Sequence, residues 1–108
     1  MIYLASAFAL GMLPGATRMT ADPLTPESVA DYLQSHEYTS IVGHASTAAY
    51  MQQRLGMPVA VNRQEVRLSY GDSIYVCQVG IRLQEGQVLS QAELEAIPVT
   101  FWVVTVMR

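Results

Sequence analysis

Short apolar runs of strand length alternate with capped helical segments along this chain of 108 residues, and that alternation limits the folds open to it. The runs predict strands at Ile2–Ala5, Tyr38–Val42, Gln64–Ser69, Ser73–Ile81 and Thr100–Met107. The third run alternates polar and apolar residues and leads through a turn at 70–72 into the fourth, which predicts a β-hairpin.

Capping residues predict the helices between these strands. Thr25, followed by proline, begins the first helix, and Ser46 or Thr47 caps a second that ends at Gly56. Ser90 opens a capping box for a third, short helix. We therefore expect one compact α+β domain over residues 1–108, with a mixed, mainly antiparallel sheet and flanking helices.

Charge and hydropathy narrow the classes of function. Six arginines and no lysine face nine carboxylates, for a net charge of −3, so the surface is poorly suited to long duplex DNA or RNA. A few focused arginines can still bind a small anion. The apolar segment Met1–Leu13 has no basic leader and is shorter than a membrane span, so we expect a cytoplasmic protein without a membrane anchor. With one cysteine, Cys77, no internal disulfide is expected.

The segment Gly43-His44-Ala45-Ser46-Thr47 is the most informative local feature. A strand delivers a histidine to a glycine turn directly before a helix N-terminus, where unpaired backbone N–H groups favour an anion. The hydroxyls of Ser46 and Thr47 add donors, and an imidazole can donate or accept a proton near neutral pH. The alternative is that His44 is a packing or capping residue at an ordinary strand–helix junction.

A second candidate segment follows the long apolar strand. Arg82 could hold two phosphate oxygens in a fork, with Glu85 orienting it, bonding a ribose hydroxyl or acting as a base. The alternative is a surface ion pair worth about 0–1 kcal/mol. Arg63 could contact phosphate or lie in a turn, and Gln78 faces either solvent or a ligand.

The missing motifs narrow the chemistry further. The chain contains no phosphate-binding Walker loop, no dinucleotide glycine fingerprint and no HExxH metal pair. If the chain is catalytic, one histidine with arginines and helix-end donors best suits metal-independent phosphodiester cleavage. In that reaction the substrate supplies its own nucleophile, the ribose 2′-hydroxyl.

The order of these pieces resembles one family, the small viral and bacterial type III anti-CRISPR ring nucleases, first met as an uncharacterised protein of archaeal turreted viruses. The resemblance runs from Ile2 to about Val104 and rests on Ser6-Ala7-Phe8-Ala9, Gly43-His44-x-Ser46-Thr47, Asn62-Arg63, Gly71-Asp72 and Arg82-Leu83-x-Glu85-Gly86. It implies a homodimer that encloses cyclic tetra-adenylate across its two-fold axis and cleaves it without metal or cofactor. The products would be linear adenylates ending in a 2′,3′-cyclic phosphate, and type III CRISPR signalling would be switched off.

The resemblance also assigns roles to residues. His44 matches the general acid that protonates the departing 5′-oxygen. Arg82 matches the arginine that stabilises phosphoryl charge, and Glu85 the glutamate that positions it or the 2′-hydroxyl. Ligand-binding positions are matched by Ser6, Ser46, Thr47, Arg63 and Gln78.

Two positions depart from the family pattern. Ser6 stands where asparagine is usual, and Ala9 stands where serine is usual. These changes leave open a second function, a binding module that sequesters a cyclic nucleotide without cutting it. A structural or regulatory interaction protein, with His44 and Arg82 as mere surface residues, is a third.

Overall fold

The computed structural model of the protein describes residues 1–80 and 90–108. In this part of the chain, five strands form one mixed sheet in the order β2-β5-β4-β1-β3. The strands are β1 (Ile2–Ala5), β2 (Arg18–Leu24), β3 (Thr39–Ser40), β4 (Ser73–Val79) and β5 (Val99–Met107). The expected α+β domain with a mixed sheet is therefore confirmed.

The strand directions determine where a site can form. β1 lies between β3 and β4 and runs parallel to both, whereas β5 is antiparallel to both β4 and β2. The carboxyl ends of β1, β3 and β4 consequently meet at one edge of the sheet. In sheets of this kind the crevice outside those ends is the usual ligand position.

The three predicted helices are present, and two begin as their caps predict. Thr25 caps α1 (Pro26–Gln34) by accepting from the Ser28 amide at 3.1 Å. Before α3 (Gln91–Ala96), Ser90 and Glu93 accept from each other's amides at 3.2 and 3.1 Å, so the predicted capping box is confirmed.

The cap predicted for the second helix is wrong. α2 (Ala45–Leu55) begins at an N-cap of His44, so Ser46 and Thr47 lie inside its first turn. Extended backbone angles at residue 44 allow its carbonyl to accept the first helical hydrogen bond, from Ala48 at 3.0 Å. The helix ends as predicted at Gly56, whose φ of 69° is left-handed.

One face of the sheet, the helix face, packs against α1 and α2. The sheet contributes Leu4, Tyr75, Cys77 and Phe101, and the helices contribute Val29, Ala30, Leu33, Ala48, Met51 and Leu55. All of these side chains are buried, with Leu4, Met51 and Cys77 at 0% exposure. Two helices thus supply an apolar stripe to the central strands.

Among the residues that the structure describes, the opposite face, the loop face, is covered without a helix of comparable length. A 3₁₀ turn at Leu10–Met12 and the strap, defined as residues 64–68, lie over Ala5, Ile74, Val76, Val104 and Val106. The predicted strand at Gln64–Ser69 and its hairpin are wrong. Both edges of β4 are already occupied by β1 and β5, so the alternating run buries Val66 and Leu68 against the loop face instead.

Candidate functional site

His44 stands where β3 passes into α2, at the edge where the parallel strands end. Its side chain is exposed and makes no capping hydrogen bond, because the backbone carbonyl alone closes the first turn. The imidazole is therefore available to a ligand beside the helix N-terminus. His44 therefore lies where the sequence predicts it, directly before the helix, although residue 44 itself is the N-cap.

The first turn of α2 presents further donors to the same space. Ser46 and Thr47 are both partly buried in that turn. The Oγ atom of Ser46 is buried and has no hydrogen-bond partner among the described residues. A buried hydroxyl without a partner is unusual in a folded chain. With the unpaired N–H groups and positive dipole end of an 11-residue helix, it makes this turn suited to an anion.

Arg63 is held next to His44 by its contact with Gly43. A Cβ atom placed on Gly43 would lie 3.3 Å from Cγ of Arg63 and 3.6 Å from its Cβ. The absence of that Cβ lets the arginine stem lie against the backbone directly before the histidine. The sequence left Arg63 either as a phosphate contact or as a turn residue, and the resemblance matched it to a ligand-binding position. The structure places its stem at the junction that carries His44.

Asn62 anchors the segment that carries Arg63. Its amide nitrogen Nδ2 donates to the Ser40 carbonyl at 2.7 Å, and its backbone N–H donates to the Val42 carbonyl at 2.8 Å. Val61 forms a parallel bridge with Val42, which extends the pairing along β3. In this motif Asn62 therefore has a structural role, whereas Arg63 is exposed and charged.

Ser6 lies in an open groove of about 600 Å³ between the end of β1 and the strap. The groove is lined by Ala5, Ser6, Ala7, Ala9, Gly11, Met12, Ile41, Gln64, Glu65, Val66 and Arg67. Its size falls within the range of small-molecule sites. Gln64 connects it to the histidine region, because its Oε1 accepts from Asn62 at 3.2 Å. Both positions that depart from the family pattern, 6 and 9, line this groove.

Gln78 lies near the carboxyl end of β4 and is exposed. It pairs with Thr100 across the antiparallel ladder and projects from the loop face, as Ile74 and Val76 do. The structure thus puts it on the accessible side of the sheet, at the same edge as Ser6 and His44.

Arg82 and Glu85 lie outside the described residues, so their predicted roles stay predictions. Gly80 is the last described residue before them, and its amide donates to the Pro98 carbonyl at 2.6 Å. A Cβ atom on Gly80 would lie 2.9 Å from that carbonyl oxygen and from Cβ of Pro98. Glycine is thus required where β4 ends.

The strap contributes residues that the sequence interpretation did not assign to the site. Gln64, Glu65 and Arg67 line the groove, yet in the sequence they belonged to the polar side of a supposed hairpin strand. Alternation showed which residues point away from the core. It contained no signal for what those residues face.

The remaining titratable groups do not point to a second reaction centre. Burial raises the pKa of the Cys77 thiol to about 12, only partly opposed by Arg54, so this cysteine is a buried apolar residue as expected. Within residues 1–80 and 90–108, no three His, Cys, Asp or Glu side chains cluster so as to hold a metal ion. No helix in the same ranges has the length and apolar character to cross a membrane.

The fold and the site define a class: a small α+β domain whose polar residues gather where parallel strands end, beside an open groove and a helix N-terminus that has no side-chain cap. A family model described as STIV B116-like matches residues 2–101, and the chain belongs to this family. The structure is similar to that of B116 of Sulfolobus turreted icosahedral virus, with a TM-score of 0.82 and 29% identity over 96% of this chain and 97% of the other.

Relatives are found in further archaeal viruses and in a bacterium. Uncharacterized protein 26 of Sulfolobus islandicus filamentous virus is 29% identical, over 99% of this chain and 92% of its own length. ORF117 of Acidianus two-tailed virus is 30% identical, over 89% and 85%. YddF of Bacillus subtilis is 29% identical, over 79% and 81%. The expected link to a protein of turreted viruses is confirmed.

Proposed function

We propose that this protein is a metal-independent ring nuclease that cleaves cyclic tetra-adenylate into linear adenylates ending in a 2′,3′-cyclic phosphate. The observation that carries the proposal is His44: an exposed imidazole, without a capping bond, at the N-terminus of α2 and beside the stem of Arg63. A proton donor beside anion-binding N–H groups suits cleavage of a phosphodiester by the neighbouring ribose 2′-hydroxyl. Removal of the messenger would switch off type III CRISPR signalling in the cytoplasm of the host cell.

The described residues supply groups that bind the phosphate and protonate the leaving group. The first turn of α2, with Ser46 and Thr47, holds the oxygens of the scissile phosphate. The ribose 2′-hydroxyl loses its proton to solvent and attacks phosphorus in line, the bond from phosphorus to the 5′-oxygen breaks, and His44 donates a proton to that departing oxygen. Water then returns a proton to His44. Arg63 adds positive charge next to the same phosphate. Arg82 and Glu85 are proposed from the family resemblance alone, as the charge-stabilising arginine and its positioning partner.

The symmetry of the ligand supports a homodimer. A ring of four identical nucleotides presents two equivalent halves, which a two-fold axis can match with two copies of His44. The exposed Gln78 and the groove with Ser6 lie at the same edge and would then contact the ring from each protomer.

A non-cleaving binding module is the second candidate function. It is favoured by the groove itself, where Ala9 offers no hydroxyl and Ser6 offers a shorter polar group than the asparagine usual in the family. A sponge would bind the ring tightly and release it intact.

The deciding experiment incubates labelled cyclic tetra-adenylate with the protein in EDTA. We expect multiple turnovers for the wild type and a loss of about 10²–10⁴-fold in rate for His44→Ala, with binding retained. His36→Ala is the matched control: His36 lies beyond α1, stacked on Tyr32 at 3.8 Å, and its loss should leave the rate unchanged. Binding with full recovery of intact ring would favour the sponge. A folded dimer that neither binds nor cleaves any cyclic oligoadenylate would contradict both functions.

A further inference from the structure

Arg67 is a groove residue with no role in the reaction proposed above. It lies between Val66, which packs against the loop face, and Leu68, which is 1% exposed. The Leu68 amide donates to the Met12 carbonyl at 2.7 Å, so the backbone next to Arg67 is fixed at the far end of the strap. Its own side chain is exposed and lines the groove.

The charge of Arg67 is not neutralised by a neighbouring carboxylate in the described part of the chain. The ion pair found there joins the Met1 amine to Asp72 at 3.1 Å, and neither Arg67 nor Glu65 takes part in one. The other polar groups that line the groove with it are Ser6, Gln64 and Glu65. A guanidinium in that position is available to an anionic group of a bound molecule, which it would bind through two parallel N–H donors.

Arg67 and Arg63 lie at opposite ends of the segment that borders the site. The stem of Arg63 is packed on Gly43, beside His44. Arg67 is next to Leu68, whose amide forms the backbone hydrogen bond to Met12. Three residues lie between them, and the four residue steps span at most about 14 Å. Two arginines placed at the two ends of this segment can bind two different phosphates.

From this placement we infer that Arg67 binds a phosphate of the oligonucleotide other than the one cleaved at His44. The inference rests on the proposed function for the identity of the ligand, and it concerns affinity rather than chemistry. Arg67 anchors the ring through a phosphate that does not react. Arg63 and α2 hold the phosphate that does.

The test compares Arg67→Ala and Arg67→Lys with the wild type. Cleavage of cyclic tetra-adenylate in EDTA gives KM and kcat, and the His44→Ala background gives equilibrium binding of the intact ring. We expect Arg67→Ala to raise both KM and Kd about 10- to 100-fold, as for a lost charge-assisted hydrogen bond, with kcat within about threefold. The logarithmic dependence of affinity on salt should become shallower by about 0.7, and Lys should recover much of that salt dependence.

Arg18→Ala is the control, because Arg18 is exposed on β2, the strand at the opposite edge of the sheet from β3. Wild-type KM, Kd and salt dependence in Arg67→Ala would overturn the inference. A fall in kcat with unchanged Kd would also overturn it. Failure of the proposed function has a different signature. If the wild type binds the ring without cutting it, Kd and its salt dependence still decide the role of Arg67, and if the wild type does not bind the ring, both proposals fail.

Discussion

Apolar strand residues are buried on both the helix face and the loop face of the sheet, but different elements cover the two faces. On the helix face, two helices bury a stripe of side chains against the sheet, and their backbones are satisfied internally. On the loop face, a 3₁₀ turn and the strap bury the apolar side chains of the sheet. The groove lies on the second face. Binding residues are often carried by loops on a rigid scaffold, and here the helix face provides the rigidity.

The largest effect of a single substitution should come from the helix face. Met51 is fully buried between α2 and the sheet, so Met51→Ala leaves a cavity within regular elements that cannot easily close. We expect a loss of about 2–5 kcal/mol in the free energy of unfolding, measured by urea denaturation. Gln53→Ala, on the exposed side of the same helix, should stay within about 0.5 kcal/mol. A loss below 1 kcal/mol for Met51→Ala would show that the helix face is not the rigid half.

Leu68→Ala applies the same test to the loop face. Leu68 is 1% exposed, but the strap pairs with no strand of the described part of the chain, so it can settle into the space left by the lost side chain. We expect a cost of about 2 kcal/mol, at the lower end for such substitutions. Hydrogen exchange at the Leu68 amide should accelerate more than exchange within α2. Equal acceleration at both places would mean that the two faces open as one unit.

Alkaline pH should lower the stability of the whole fold through two groups of the helix face. Burial raises the pKa of the Cys77 thiol and of the Tyr75 hydroxyl to about 12, and both side chains lie on that face. Above pH 9 to 10 the unfolded chain releases these protons while the folded chain retains them. Stability should therefore fall with rising pH up to about 12, by about 1.4 kcal/mol per pH unit for each group.

Cys77→Ala isolates one of these groups. Its stability is expected to be lower than that of the wild type at pH 7 but to decline less steeply between pH 9 and 12, in urea titrations at each pH. Parallel declines for the two proteins would contradict a buried, protonated thiol.

The two faces also differ in how far the sequence predicts them. The helix face was predictable because its signals are local: Thr25 with Pro26 begins α1, and Gly56 ends α2. The strap was misassigned because alternation states only which residues are buried. Whether Val66 and Leu68 pack in a strand or in a loop depends on the strand order, which places β1 and β5 at both edges of β4.

In the candidate site, too, the features set by local sequence were predictable and the contacts between distant segments were not. Ser46, Thr47 and His44 could be placed together because a glycine turn precedes a helix, which is again local. The proximity of Arg63 to Gly43 and the place of Arg67 in the groove depend on contacts between distant segments, which no spacing in the sequence encodes. The cap was misplaced by two or three residues because a backbone carbonyl can close the first turn without a serine or threonine side chain.

The smallest expected effect tests the junction between the two faces, at Gly43. Its backbone does not need glycine for conformational reasons, since its φ is not positive, so Gly43→Ala should fold with wild-type stability. The new methyl group would approach Cγ of Arg63 to 3.3 Å and displace the stem by a few tenths of an ångström. We expect kcat/KM for ring cleavage to fall about two- to fivefold, because small displacements of positioned groups slow a reaction.

Arg63→Ala supplies the control for Gly43→Ala through a double-mutant cycle. If glycine acts only by making room for the arginine stem, Gly43→Ala should have no further effect once Arg63 is removed. Full additivity of the two substitutions would instead place the effect of the methyl group on His44 or on the ligand directly. The cycle therefore distinguishes a glycine that makes room for an arginine from a glycine whose position affects the substrate directly. Gly43 and Arg63 are twenty positions apart in sequence and adjacent in space.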